Sequence, residues 1–105
     1  MPRRTGSVSR GLSAWERTLR ELLPGLRERF GVTYLGLFGS HVRGEARRDS
    51  DLDVLVDFDD PPSLLRFIAI ENELSDRLGV KVDLVMKDVL KPHIGRRVLS
   101  EVVPV

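Results

Sequence analysis

Six aspartates, Asp49, Asp51, Asp53, Asp57, Asp59 and Asp60, fall within residues 49–60, where there is no Lys or Arg. A block of one sign is ordinarily a solvated loop or tail. Here Leu52, Val54, Leu55, Val56 and Phe58 interrupt it, and a solvated tail would not carry them. The stretch Leu52 to Phe58 therefore reads as a strand, and something must make its carboxylates tolerable. Strand side chains alternate between faces, so Asp51 and Asp53 point the same way while Leu52, Val54 and Val56 point into a core. At a rise of about 3.3 Å per residue the two carboxylates stand roughly 7 Å apart. Carboxylates that close repel, which raises the pKa of one of them. A divalent cation removes the conflict, and hard oxygen ligands suit Mg²⁺ or Mn²⁺. For this pair alone the competing reading is a solvent-facing edge whose charges discourage pairing between sheets.

Composition narrows the rest. At 105 residues one domain is expected, with a core but no room for separate catalytic and substrate-recognition domains. The net charge is +1, so overall charge selects no partner class. The absence of cysteine excludes disulfides and thiolate metal sites. No apolar run approaches the roughly 20 residues of a bilayer span. The basic start Met1-Pro2-Arg3-Arg4 is not followed by the apolar stretch of a signal peptide. A cytoplasmic protein with no membrane partner is the expectation.

Residues 1–12, rich in Arg, Gly and Ser, read as a disordered basic arm, and 13–105 as the folded domain. Ser13-Ala14-Trp15-Glu16 fits a capping box, and Trp15, Leu19, Leu22 and Leu23 follow at helical spacing. Pro24 should kink this helix or restart it, and Gly31 should close it. Val32 to Phe38 reads as the first strand, His41 to Ala46 as a short helical turn, and Leu52 to Phe58 as the second strand. Asp60-Pro61 should open a helix that Gly79 closes. Val80 to Met86 alternates as a third strand, and Pro92 should open a last helix to about Glu101, followed by an extended end. This order predicts an α/β (α+β) fold, with a small mixed sheet and helices mainly on one face.

Two further elements join the aspartates. Gly39-Ser40 lies where a strand turns into a helix, just before the acidic strand. A glycine there lets backbone approach a phosphate, and the amides and Ser40 hydroxyl offer donors. Asp83 faces away from Val82 and Leu84 on the third strand. If that strand neighbours the second, Asp83 joins Asp51 and Asp53; otherwise it pairs with Lys81 or Lys87. Other motifs fail. Asp49, Asp51 and Asp53 mimic the start of an EF-hand loop, but Val54 stands where that loop needs Gly. The Walker A pattern fails because Glu45 follows Gly44. His41 and His93 share no ligand spacing and read as surface or structural histidines. No basic patch interleaves with aromatics; Arg3, Arg4 and Arg10 could touch nucleic acid or nothing, and nothing is the expectation.

The run Leu37-Phe38-Gly39-Ser40-His41-Val42-Arg43-Gly44-Glu45-Ala46, then Asp49-Ser50-Asp51-Leu52-Asp53-Val54-Leu55-Val56, with Asp83 on a later strand, resembles the minimal nucleotidyltransferases. These belong to the DNA polymerase β-like nucleotidyltransferase superfamily. The likeness covers about residues 14–103. It implies that Asp51 and Asp53 bind the metals, and that Asp83 ligates one and helps activate an attacking hydroxyl. It also implies that Gly39 and Ser40 hold nucleotide phosphates, with Arg43 near the site as a phosphate contact or as the structural partner of an acid. Arg47 and Arg48 receive no role. Mg²⁺ or Mn²⁺ is the implied cofactor and ATP the implied substrate. The implied partner is a HEPN-domain toxin, with AMP transferred to its tyrosine by this chain as antitoxin. Two alternatives remain: an antitoxin that works by binding alone, and a small-molecule nucleotidyltransferase, for which an additional domain would be needed.

Overall fold

An apolar stripe one helical turn longer than the capping box implies sets the first element, α1 (Gly6–Phe30). Leu12 and Trp15 pack against the core below fully buried Leu19 and Leu26, so the stripe runs back past Ser13 and the helix runs with it. Ser13 is thus interior to α1 rather than its cap, and Pro24 lies within one assigned helix. The computed structural model describes residues 6–90 and 92–105, with side chains from residue 11 onward except those of 92–94. The expectations for residues 1–5, for the Arg10 side chain and for His93 fall outside that description. Gly31, at φ 75°, ends α1 as expected, its N–H donating to the Arg27 carbonyl at 3.0 Å.

The chain continues through β1 (Val32–Phe38), a short α2 (Ser40–Arg43), β2 (Leu52–Phe58), α3 (Leu64–Leu78), β3 (Val82–Met86), a 3-10 turn (Lys87–Val89), α4 (Pro92–Glu101) and β4 (Val103–Pro104). The short helix thus begins and ends earlier than the expected His41 to Ala46. Helix α3 starts after Pro62, not at Asp60. A residue preceding proline is driven into extended backbone, and Asp60 and Pro61 both precede one. Ser63 caps instead, its Oγ accepting the Arg66 N–H at 3.3 Å.

The four strands form one sheet in the order β3-β2-β1-β4. β1 runs antiparallel to both β2 and β4, and β2 runs parallel to β3, so the sheet is mixed as expected. Helix α3 makes the crossover that parallel pairing requires. Val54 and Val56 of β2, Leu35 and Leu37 of β1, and Ile70 and Leu74 of α3 are essentially fully buried in one cluster with α1. Leu55, on the opposite face of β2, is also fully buried, yet lies outside that cluster, as does Val98 of α4. Leu55 is the register partner of Gly36, and a Cβ at Gly36 would meet the Val102 side chain. The end of α4 and the residues after it therefore cover part of the second face, and leave the carboxylate end of β2 open. No described helix is long and apolar enough to cross a membrane.

Candidate active site

Register places the acidic residues. Asp53 sits in β2 between Leu52 and Val54, both fully buried, so its own side chain is turned to the other face. Its register partners are Asp83 on β3 and Phe38 on β1. In adjacent strands such partners are neighbours, about 4.8 Å apart along the hydrogen-bonding direction. Asp83 likewise alternates with buried Val82 and Leu84. The structure thus brings Asp53 and Asp83 side by side on one face. Asp51 stands one residue ahead of the strand rather than in it. It is held there by its neighbours: Leu52 N–H donates to the Lys81 carbonyl at 2.8 Å, and Ser50 N–H closes a turn onto the Arg47 carbonyl at 3.1 Å.

His41 fixes that turn from α2. Its Nε2 lies 3.1 Å from the Ser50 carbonyl, which can only accept, so this nitrogen carries the proton. The ring packs edge-on against Trp15 at 5.0 Å, and the Trp15 indole N–H donates to the Leu78 carbonyl at 3.1 Å. His41 is therefore the structural histidine that its lack of ligand spacing suggests.

The carboxylates perturb one another. Burial, then Asp83, then Asp51 push the Asp53 carboxyl up to about 6, against the opposing pull of His41 and Arg43. Burial, Glu71 and Asp51 push Asp83 above the usual carboxylate range, with Lys81 opposing. Among the described residues no three potential ligands stand close enough together to enclose a cation. The chemistry of Asp51, Asp53 and Asp83 nonetheless fits a hard divalent ion: three carboxylates, of which Asp53 and Asp83 resist ionisation first through burial and then through the negative charge beside them.

Gly39 forms the bend beside them. It has φ 86° and ψ −158°, a region that side chains rarely adopt, and a Cβ there would land on the Asp53 carboxylate. The bend and the aspartate can be this close only because residue 39 is glycine. The Gly39 N–H donates to Glu101 Oε2 at 2.8 Å. Arg43 donates through Nε to Glu45 at 2.9 Å and through one terminal nitrogen to Glu101 at 3.1 Å. Among the described residues the Ser40 hydroxyl has no hydrogen-bond partner, and it remains available to a ligand. Arg47 and Arg48 line a cavity with Trp15 and His41, away from these carboxylate contacts.

Sequence reasoning missed Glu101 and Glu71. Glu71 accepts the Leu84 N–H at 2.9 Å and is the largest charge acting on Asp83. Neither glutamate lies in a motif. Glu101 reaches Gly39 across 62 residues of chain, a distance that no local pattern encodes.

Comparison with known families decides the class. Residues 19–105 match the nucleotidyltransferase domain family. The chain belongs to that family. It is a nucleotidyltransferase. Over 78 residues, 74% of this chain and 79% of the relative, it is 62% identical to the protein adenylyltransferase MntA of Thermococcus cleftensis. A solved chain provisionally assigned as a minimal nucleotidyltransferase superposes with TM-score 0.72 at 35% identity, covering 98% of this chain and all of the other. The MNT antitoxin bound to a tri-AMPylated HEPN toxin of Shewanella oneidensis shares the fold, with TM-score 0.62 and 19% identity over 86% of this chain and 70% of that one. The mixed sheet of this nucleotidyltransferase, with Asp53 and Asp83 side by side on one face, is thus the fold that the order of helices and strands predicted and the family resemblance implied.

Proposed function

We propose that this nucleotidyltransferase transfers AMP from ATP to a hydroxyl of a partner protein, a tyrosine of a HEPN toxin, and so acts as an antitoxin. The observation that carries the reading is the row of Asp83 and Asp53 beside the Gly39-Ser40 bend. Support for the donor comes from the adenylyltransferase relative, and for the partner from the fold shared with a toxin-bound antitoxin.

Asp51, Asp53 and Asp83 would hold Mg²⁺ or Mn²⁺. When bound, the cation supplies charge neutralisation of the triphosphate and of these carboxylates. The chain's own residues do the rest. Ser40 donates its hydroxyl to a phosphate oxygen, Gly39 lets the phosphate approach backbone, and the terminal nitrogen of Arg43 that faces neither glutamate offers a further donor. Asp83, whose proton affinity is raised by burial and Glu71, accepts the proton of the attacking hydroxyl. The hydroxyl oxygen bonds to the α-phosphorus as the bond from that phosphorus to the bridging oxygen breaks, and pyrophosphate leaves. Orientation and fixed charge supply much of the rate.

The test is transfer of label from α-labelled ATP to the purified toxin with Mg²⁺ present. Asp51→Ala/Asp53→Ala should lower it by at least about 100-fold, in line with loss of transition-state charge stabilisation. Undiminished labelling in that variant would reject the roles assigned. Full neutralisation of the toxin by an unlabelling Asp→Ala triple variant would favour an antitoxin that works by binding.

A further inference from the structure

The Gly39-Ser40 bend is tied to the far end of the chain. Glu101, the last residue of α4, has only 18% of its side chain exposed and places its carboxylate between two donors of the site. Oε2 takes the Gly39 N–H at 2.8 Å and, with Oε1, faces one Arg43 terminal nitrogen at 3.1 and 3.3 Å. The segment that follows is anchored as well. Val103 and Pro104 pair with Leu37 and Gly36 of β1, the strand that leads into Gly39, and Val105 N–H donates to the Leu35 carbonyl at 3.1 Å.

A carboxylate in this place is unexpected on charge alone. The site must admit a triphosphate, and Asp51, Asp53 and Asp83 already make it acidic. An uncompensated fourth carboxylate would repel the substrate. Here its charge is met by the guanidinium and its oxygen by an amide, so the interaction is charge-assisted on both sides. What it gains is order. Gly39 is a residue with unusual backbone freedom, held in a positive-φ conformation against Asp53. Arg43 is a long side chain whose rotamer freedom would otherwise have to be lost when nucleotide binds.

We propose that Glu101 is a positioning residue for nucleotide binding: it braces the Gly39 bend and pre-orients Arg43, so that α4 and β4 complete the phosphate side of the site. This rests on the nucleotidyltransferase reading but not on any particular acceptor. Glu101 touches neither metal nor reacting atoms, and acts through Gly39 and Arg43.

Two measurements on the full chain test it. The first is equilibrium binding of a nonhydrolysable ATP analogue with Mn²⁺, with no acceptor present. Glu101→Ala should weaken binding roughly 10- to 100-fold, the range that follows from losing charge-assisted hydrogen bonds. Glu101→Gln should fall between, because its amide oxygen can still take the Gly39 N–H while its pairing with Arg43 is lost. That variant is nearly isosteric, so it carries the test if Glu101→Ala does not fold, with thermal melting as the control. The second is label transfer, in which KM for ATP should rise more than kcat falls. A pair with a merely structural role would shift melting and leave this split unmoved, which would overturn the proposal. Equal or tighter analogue binding by folded Glu101→Ala would overturn it too, and tighter binding would show instead that Glu101 competes with phosphate. Should wild type bind the analogue in the expected order yet label no protein, the adenylyl-transfer reading fails while the brace stands.

Discussion

Asp53 is pressed from three sides: half-buried, next to Asp83 in the adjacent strand, and two residues from Asp51 along its own chain. Its carboxyl titrates at about 6 against an ordinary value of 3.8. Between those two values the folded protein binds more protons at this position than the unfolded chain does, so stability falls as pH rises through that window. Above about 6 the carboxylate is ionised and the destabilisation is fully present. A divalent cation needs the ionised form, so its binding should tighten across the same window and offset the loss. Melting temperature should therefore decline from pH 4 to 6.5 in metal-free wild type more steeply than in Asp53→Asn. Added Mn²⁺ at pH 7.5 should raise wild type and leave the variant unchanged. Parallel pH profiles for the two proteins would show that Asp53 is not under this pressure.

Single elements show where sequence pattern is enough and where it is not. The bounds of β2, Leu52–Phe58, and of α4, Pro92–Glu101, follow from local chemistry, namely β-branched residues between acids and a proline at the first helical position. The start of α3 is three residues later than Asp60-Pro61 suggests, because the second proline, Pro62, keeps Pro61 extended and leaves Ser63 to cap. β4 was legible as extended chain, but its pairing with β1 was not, because two residues carry no register information. The free edge of β3 was invisible as well. Its outward amides at Val82 and Leu84 are taken by Ser75 Oγ at 3.0 Å and Glu71 Oε2 at 2.9 Å, so α3 closes an edge that would otherwise invite another strand. Glu71→Ala should cost about 1–2 kcal/mol for the part-buried N–H left unpaired. In a chain of this size that lowers the melting temperature by about 4–8 °C per kcal/mol. Glu71→Gln keeps an acceptor for Leu84 and should melt near wild type. If both variants melt like wild type, the edge contact contributes nothing.

Across the whole molecule, the candidate site is assembled from four places in the chain: the bend after β1, the start of β2, the start of β3 and the end of α4. The first three could be read from residues 39–53 and from the alternation around Asp83, because glycine, serine and aspartate at those spacings have few uses in common other than phosphate and metal. The fourth could not, since Glu101 is an ordinary glutamate near the end of an ordinary helix until the sheet folds it back onto Gly39. The proposed function requires Asp51, Asp53 and Asp83 to share a divalent ion. The most direct test is a crystal grown with Mn²⁺ and a nonhydrolysable ATP analogue, with the metal located by its anomalous scattering. A manganese peak within about 2.2 Å of oxygens from all three aspartates, with phosphate oxygens near Ser40, is the predicted result. A manganese ion held without Asp83, or a triphosphate bound away from the Gly39-Ser40 bend, would contradict it.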